Sequence, residues 1–222
     1  MNTKQPTIIS IEGNIGSGKS TLINFLKENY KPINKSVLFL DEPVDEWNSI
    51  KDENGNTILE KYYINQHKWA FSFQMMAYIT RLKLIRNAIL ENYDIIITER
   101  SIYTDYNVFA KMLYQNNKIN NIDYQIYTKW FDEFLNDIPT VKIIYLKTDP
   151  IISYNRVIKR DRKGETIPLE YLTTCNNCHN DWIDTIDDVN KLIIDVGNDN
   201  RDNTFYTNML VIINRFIYKF YN

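Results

Sequence analysis

Nine consecutive residues, Gly13-Asn14-Ile15-Gly16-Ser17-Gly18-Lys19-Ser20-Thr21, carry the densest chemical signal in the chain. They satisfy G-x-x-x-x-G-K-[ST]. They also follow an apolar run (residues 7–11) and open a helical pattern (residues 19–29), the context a phosphate-binding loop needs. Glycines let backbone N–H groups close around phosphate oxygens, and the helix N-terminus adds partial positive charge. In such a loop Lys19 reaches the β- and γ-phosphates and the Ser20 hydroxyl faces Mg²⁺.

Four further groups could work beside that loop. Glu42 lies in Asp41-Glu42-Pro43-Val44-Asp45-Glu46-Trp47, directly after the run SVLFL. If that run is a strand parallel to the first, Glu42 emerges at the same sheet edge as the loop, where open α/β sheets bind ligands. Pro43 keeps Glu42 extended and discourages a helix there. A fixed carboxylate in that place suits a base for an acceptor hydroxyl; the alternative is a solvated acidic loop. Thr98-Glu99-Arg100-Ser101 ends the run DIIIT. Glu99 is placed to hold a metal, directly or through water, and Arg100 to pair with phosphate or orient Glu42. The alternative there is helix capping by Ser101.

Arg156 and Arg160 are one helical turn apart, and Arg162 follows as the helix ends. Three guanidiniums can cover a transferring phosphoryl group; the alternative is a basic surface helix. Gln74, Ala77, Tyr78 and Arg81 fall at i, i+3, i+4 and i+7, one stripe suited to a flat ligand or else a solvated polar face. Cys175-Asn176-Asn177-Cys178-His179 matches the C-x-x-C-H haem pattern. It is set aside, because it sits within a helical pattern without further ligands nearby.

The elements that would position these groups alternate. Strands are expected at 7–11, 36–40, 94–98, 141–146 and 192–194. Helices are expected at 19–29, 66–91, 102–114, 124–135, 150–159, 169–186 and 204–220, with loops at 51–57 and 115–123. Continuous apolar strands between helices predict a parallel sheet covered on both faces. The 222 residues suit one domain. Lys plus Arg is 26 against 28 Asp plus Glu, a net charge of −2 that argues against a non-specific nucleic-acid binder. No apolar run is long enough for a membrane span, and no signal peptide is evident. Two cysteines build no disulfide framework and point to a reducing compartment such as the cytoplasm.

The pieces GNIGSGKST, EPVDEW, KWAFSFQ, ERSIYTD and RVIKRDRKGETIPLEYL occur in one order across residues 7–186. Together they resemble the deoxynucleoside kinases of the deoxycytidine/deoxyguanosine kinase and mitochondrial thymidine kinase type. The resemblance implies an α/β P-loop kinase fold: three layers, a five-stranded parallel sheet, and an arginine-rich lid at about 156–167. It implies one domain over 1–222, usually a homodimer. The implied reaction is ATP- and Mg²⁺-dependent phosphorylation of a deoxynucleoside 5′-hydroxyl in nucleotide salvage. Small-molecule substrates are then the partners, with no nucleic acid and no membrane.

By the same resemblance Glu42 is the general base, Arg100 holds it and the hydroxyl, and Glu99 with Ser20 forms the magnesium side. Tyr63 meets the 3′-hydroxyl and Gln74 reads the base. Arg81 and Asp105 match the pair at the base edge in the deoxycytidine/deoxypurine branch, which disfavours thymidine. Ile15, Trp47, Leu59, Phe73 and Phe109 match the pocket walls, with Ala77 on the Gln74 stripe. Arg156, Arg160 and Arg162 match the lid. Between Arg162 and Pro168 the chain is one residue shorter than the family pattern, and a Glu-Glu pair is reduced to Gly164-Glu165. Glu165 is then the glutamate that closes on the 3′-hydroxyl. Two other readings stand beside this one: a thymidylate-kinase-like monophosphate kinase, and a silent structural member of the fold. The Glu42/Trp47 motif and the Gln74 stripe fit a nucleoside acceptor better. Intact Lys19, Ser20, Glu42, Glu99 and Arg100 speak against a silent scaffold.

Overall fold

Five parallel strands lie side by side in the order β2-β3-β1-β4-β5. They are β1 (Thr7–Gly13), β2 (Val37–Leu40), β3 (Ile95–Glu99), β4 (Val141–Lys147) and β5 (Lys191–Asp195). The computed structural model describes residues 5–136, 138–162, 165–197 and 203–221. Each strand begins and ends within two residues of its expected place, because β-branched runs bounded by polar residues leave little latitude.

Alternating side chains feed two apolar layers, as parallel strands buried on both faces require. Ile9 and Ile11 of β1, with Ile95, Ile97, Ile144 and Leu146, pack against α1 (Lys19–Asn29) and α10 (Asn203–Tyr218). Ile8, Ile96 and Val141 face the other way, against α4 (Gln66–Leu90) and α7 (Asn121–Leu135). Ile143 and Tyr145 join α4 and α9 (Leu169–Asp184) in a third cluster beneath the candidate site. The result is the three-layer α/β/α arrangement that the sequence predicts. Since β1 lies between β3 and β4, chain direction diverges at its C-terminal end, where such sheets bind ligands.

Two short helices were not expected. Val44 opens α2 (Val44–Ser49), with Pro43 at its N-cap. Pro43 keeps Glu42 out of the helix but does not delay the helix beyond the next residue, since proline is well tolerated at a helix start. Thr57 caps α3 (Ile58–Ile64) by accepting from the Glu60 N–H, while Glu60 accepts from the Thr57 N–H. That Thr-x-x-Glu signature was present in the sequence. The expected helix at 102–114 is interrupted: α5 (Ile102–Thr104) passes into a π-helical turn at Asp105–Ala110 before α6 (Lys111–Gln115). No apolar periodicity announces a π turn, though such turns often mark functional sites. The expected start of α8 (Pro150–Arg160) holds, with the Asp149 carboxylate accepting from the Ile151 N–H.

Candidate active site

The phosphate loop runs from the end of β1 to the start of α1. Gly16 has φ +80, and a Cβ there would stand 2.5 Å from the Ser153 carbonyl oxygen of α8. Only glycine allows that approach. Lys19 Nζ donates to the Asn14 carbonyl at 2.8 Å, which curls the lysine back over the loop. The Asn14 side chain turns away from the loop mouth. Its Oδ1 accepts from the Ile15 N–H, and its Nδ2 donates to the Leu172 carbonyl of α9 at 2.9 Å. The Asn14 side chain is therefore a brace between loop and α9. Gly13 and Ser17 likewise stand behind the loop rather than lining its cavity.

Glu42, Arg100, Arg81 and Asp105 form a charge chain in which Glu42 is half-buried and the other three are buried. Arg100 Nη1 donates to Glu42 Oε1 at 2.8 Å, and Arg81 Nη2 donates to the same oxygen at 3.2 Å. Arg81 Nε donates to Asp105 Oδ2 at 2.9 Å and its Nη1 to the Glu99 carbonyl at 2.8 Å. Burial alone would raise the Glu42 carboxyl, but Arg100, Arg81 and Lys19 together hold it down at about 2. Burial lowers the Lys19 ammonium to about 7, assisted by the Arg100 charge and opposed by Glu99 and Glu42. Burial pushes the Asp105 carboxyl up, against the pull of Arg81. The Ser20 hydroxyl donates to Glu99 Oε1 at 2.9 Å. Ser101 was weighed as a helix cap, but it makes no capping bond, and its hydroxyl goes to Glu12 instead.

One cavity of about 390 Å³ joins these groups. Phosphate-loop residues Ile15, Lys19, Ser20 and Thr21 line it together with Glu42, Glu99 and Arg100. So do Trp47, Leu59, Tyr63, Phe73, Gln74, Ala77, Arg81, Asp105 and Phe109, and the lid side supplies Arg156, Arg160, Arg162 and Glu165. Trp47 packs edge-on to Phe73 and donates from its indole nitrogen to the Thr80 hydroxyl at 2.9 Å. Gln74 is buried, and its Oε1 has no hydrogen-bond partner among the described residues, leaving an acceptor for a ligand donor. Val44, Tyr62 and Tyr171 also line the cavity and were missed. Their apolar or phenolic types carry no distinctive spacing; the Tyr62 and Tyr171 hydroxyls meet at 3.0 Å.

Two expectations change. Tyr78 leaves the Gln74 stripe for the layer below, where its hydroxyl donates to the Trp130 carbonyl at 3.0 Å. The stripe is buried rather than a solvated polar face: Ala77 packs in the cluster that holds Trp47, Tyr62 and Val108, and Arg81 bonds Asp105 of the π turn. Arg160 lines the cavity and also bonds both carboxylate oxygens of Glu165 at 2.6 Å. Arg156 donates to the Val196 carbonyl at 3.2 Å. Lys163 and Gly164, the centre of the shortened lid, lie outside the described residues.

A hydroxyl and a carboxylate at the loop mouth, a cluster of cations, and a carboxylate facing an amide-lined slot can bind a nucleotide's phosphates beside a flat acceptor. The sequence profile of the deoxynucleoside kinase family matches residues 9–218. The chain belongs to the deoxynucleoside kinase family. A fowlpox virus (strain NVSL) protein named "Probable deoxycytidine kinase" is 39% identical over 179 residues, covering 79% of this chain and 71% of its own. Human deoxycytidine kinase is 32% identical over 225 residues, covering 87% and 85%. Human mitochondrial thymidine kinase 2 is also 32% identical, over 183 residues covering 81% and 65%. This kinase is thus an enzyme that phosphorylates nucleosides, with ATP and a nucleoside as its small-molecule substrates. Among the described residues no helix is long and apolar enough to cross a membrane. Cys175 and Cys178 are free and buried, and among the described residues no cluster of metal-ligating side chains occurs.

Proposed function

We propose that the protein transfers the γ-phosphoryl group of ATP to the 5′-hydroxyl of a deoxynucleoside, with deoxycytidine or a deoxypurine favoured over thymidine, in nucleotide salvage. The observation that carries this reading is the shared cavity: phosphate-loop Lys19, carboxylate Glu42 and amide Gln74 line one space. Glu42 takes the hydroxyl proton as transfer proceeds, in a site already organised by Arg100 and Arg81. Because the phosphoryl transition state is loose, most of the acceleration comes from positioning and charge neutralisation. The Ser20 hydroxyl and Glu99 carboxylate fit Mg²⁺, which takes hard oxygens and keeps most of its other positions for water and phosphate. When bound, the ion neutralises charge on the β- and γ-phosphates. Arg156, Arg160 and Arg162 close over the phosphates, and Glu165 with Tyr63 receives the 3′-hydroxyl. Glu165 is also paired with Arg160, which ties the two lid groups together.

The base is read by Gln74, whose Oε1 accepts from the base edge while its amide donates back. Asp105 accepts from an exocyclic amino group, which cytosine, adenine and guanine carry and thymine lacks. Residues 1–222 then act as one domain. A homodimer is supported by Ile122, Ile126 and Trp130, which stand exposed at four-residue spacing on α7. Sedimentation at twice the chain mass is expected; a monomer would refute it. For the chemistry, ATP, Mg²⁺ and deoxycytidine should give the 5′-monophosphate by phosphorus NMR. Phosphate on the 3′-oxygen, or turnover only with monophosphate acceptors, would overturn the assignment.

A further inference from the structure

Glu12 sits near the end of β1, one residue before the phosphate loop, and is fully buried. It does not line the cavity. Burying a carboxylate is costly unless its oxygens are satisfied, and here they are satisfied by three hydroxyls. Oε1 accepts from Ser10 at 2.5 Å and Ser101 at 2.7 Å, and Oε2 accepts from Thr104.

Two of those hydroxyls mark the ends of one short segment, Ser101–Thr104. Arg100 immediately precedes it and Asp105 immediately follows it. Arg100 is held at φ 61, a left-handed backbone that a long side chain rarely adopts. Its N–H donates to the Ile11 carbonyl at 3.1 Å, and the Thr98 hydroxyl donates to its carbonyl at 2.9 Å. This turn departs from the strand direction just where the guanidinium meets Glu42 at 2.8 Å. Strain of this kind persists only where the surroundings over-determine it. At the other end Asp105 opens the π turn and meets Arg81 at 2.9 Å.

We infer that Glu12 is a positioning residue for the reaction: through Ser101 and Thr104 it fixes the turn that carries both Arg100 and Asp105. One buried carboxylate then sets the aim of the arginine that holds Glu42 and of the carboxylate that faces the base. The inference rests on the roles proposed above for Glu42, Arg100 and Asp105.

The test uses Thr104→Val, which keeps the shape and removes one hydroxyl from Glu12, and Thr104→Ser, which restores it. With deoxycytidine, Thr104→Val should lower kcat about tenfold or more and leave KM for ATP within about twofold. Thr104→Ser should stay within about threefold of wild type. In a Glu42→Gln background Thr104→Val should cost clearly less than in wild type, because the part of its effect that runs through Arg100 to Glu42 is gone while the part through Asp105 remains. Wild-type kcat in Thr104→Val, or an equal loss in both backgrounds, would overturn the inference. If Thr104→Val does not fold, Ser101→Ala measured the same way decides. Failure of the Glu42 reading shows separately, as an unimpaired Glu42→Gln single variant.

Discussion

On the proposed reading the chemistry turns on Glu42, and its surroundings explain why it stays ionised in a half-buried place. Arg100 and Arg81 share one of its oxygens, so together they offset the cost of burial. Glu42→Gln keeps the shape and removes the proton acceptor. General-base contributions run about 10²–10⁴-fold, and kcat should fall within that range while ATP binding persists. Steady-state kinetics beside an ATP-binding titration would show it; activity within about twofold of wild type would remove Glu42 from that role. With the carboxyl held at about 2, its ionisation should not shape the rate between about pH 5 and 8. At this scale most of the site was legible. The phosphate loop, Glu42, Gln74 and Arg81 announce themselves by residue type and spacing. Glu12 did not, because nothing in a strand-end Glu distinguishes a buried anchor from a solvated end. The Arg81–Glu42 contact spans 39 positions in sequence and leaves no local trace.

The elements differ in how clearly they could be read. The sheet was readable because its strands are short apolar runs bounded by polar residues, with β1 and β3 buried on both sides. The small helices α2 and α3 and the π turn were not, since each buries too few residues to set up a period. The lid shows a contact that periodicity cannot supply. Arg160 and Arg156 do share a face of α8 and line the cavity with the phosphate loop, and Arg160 is also paired with Glu165. Arg160→Ala should lower kcat by about 10²–10³, as loss of one preorganised donor does, with deoxynucleoside affinity nearly intact. Separate measurement of kcat and of nucleoside affinity checks this. A change confined to affinity would mean that Arg160 serves the nucleoside through Glu165 instead.

Across the whole molecule, the C-x-x-C-H segment is structural. His179 is buried, with its Nδ1–H donating to the Cys175 carbonyl at 2.8 Å, and burial raises the Cys175 thiol to about 12. Burial also lowers the His179 imidazole from 6.5 to about 3. Between those values the unfolded chain binds the extra proton, so stability is complete above about pH 6.5 and is lost as pH falls. This group alone should remove on the order of 2 kcal/mol between about pH 6.5 and 5. Urea unfolding across that window should show the decline, and His179→Gln should flatten it; an unchanged slope would place the effect elsewhere.

The account as a whole rests on which acceptor the cavity takes. Arg81 and Asp105 are joined as a buried pair, and Arg81 also touches Glu42, so the pair can serve structure and selection at once. Thymine would bring a carbonyl toward the Asp105 carboxylate, and a buried acceptor left unpaired costs about 1–3 kcal/mol. The most direct measurement is kcat/KM with ATP and Mg²⁺ for each natural deoxynucleoside and each monophosphate, in wild type and in Arg81→Met/Asp105→Ala. The account predicts turnover of deoxynucleosides, with thymidine poorest by about ten- to a hundredfold and the gap narrowed in the double variant. Thymidine as the best acceptor of wild type, or turnover confined to monophosphates, would contradict it.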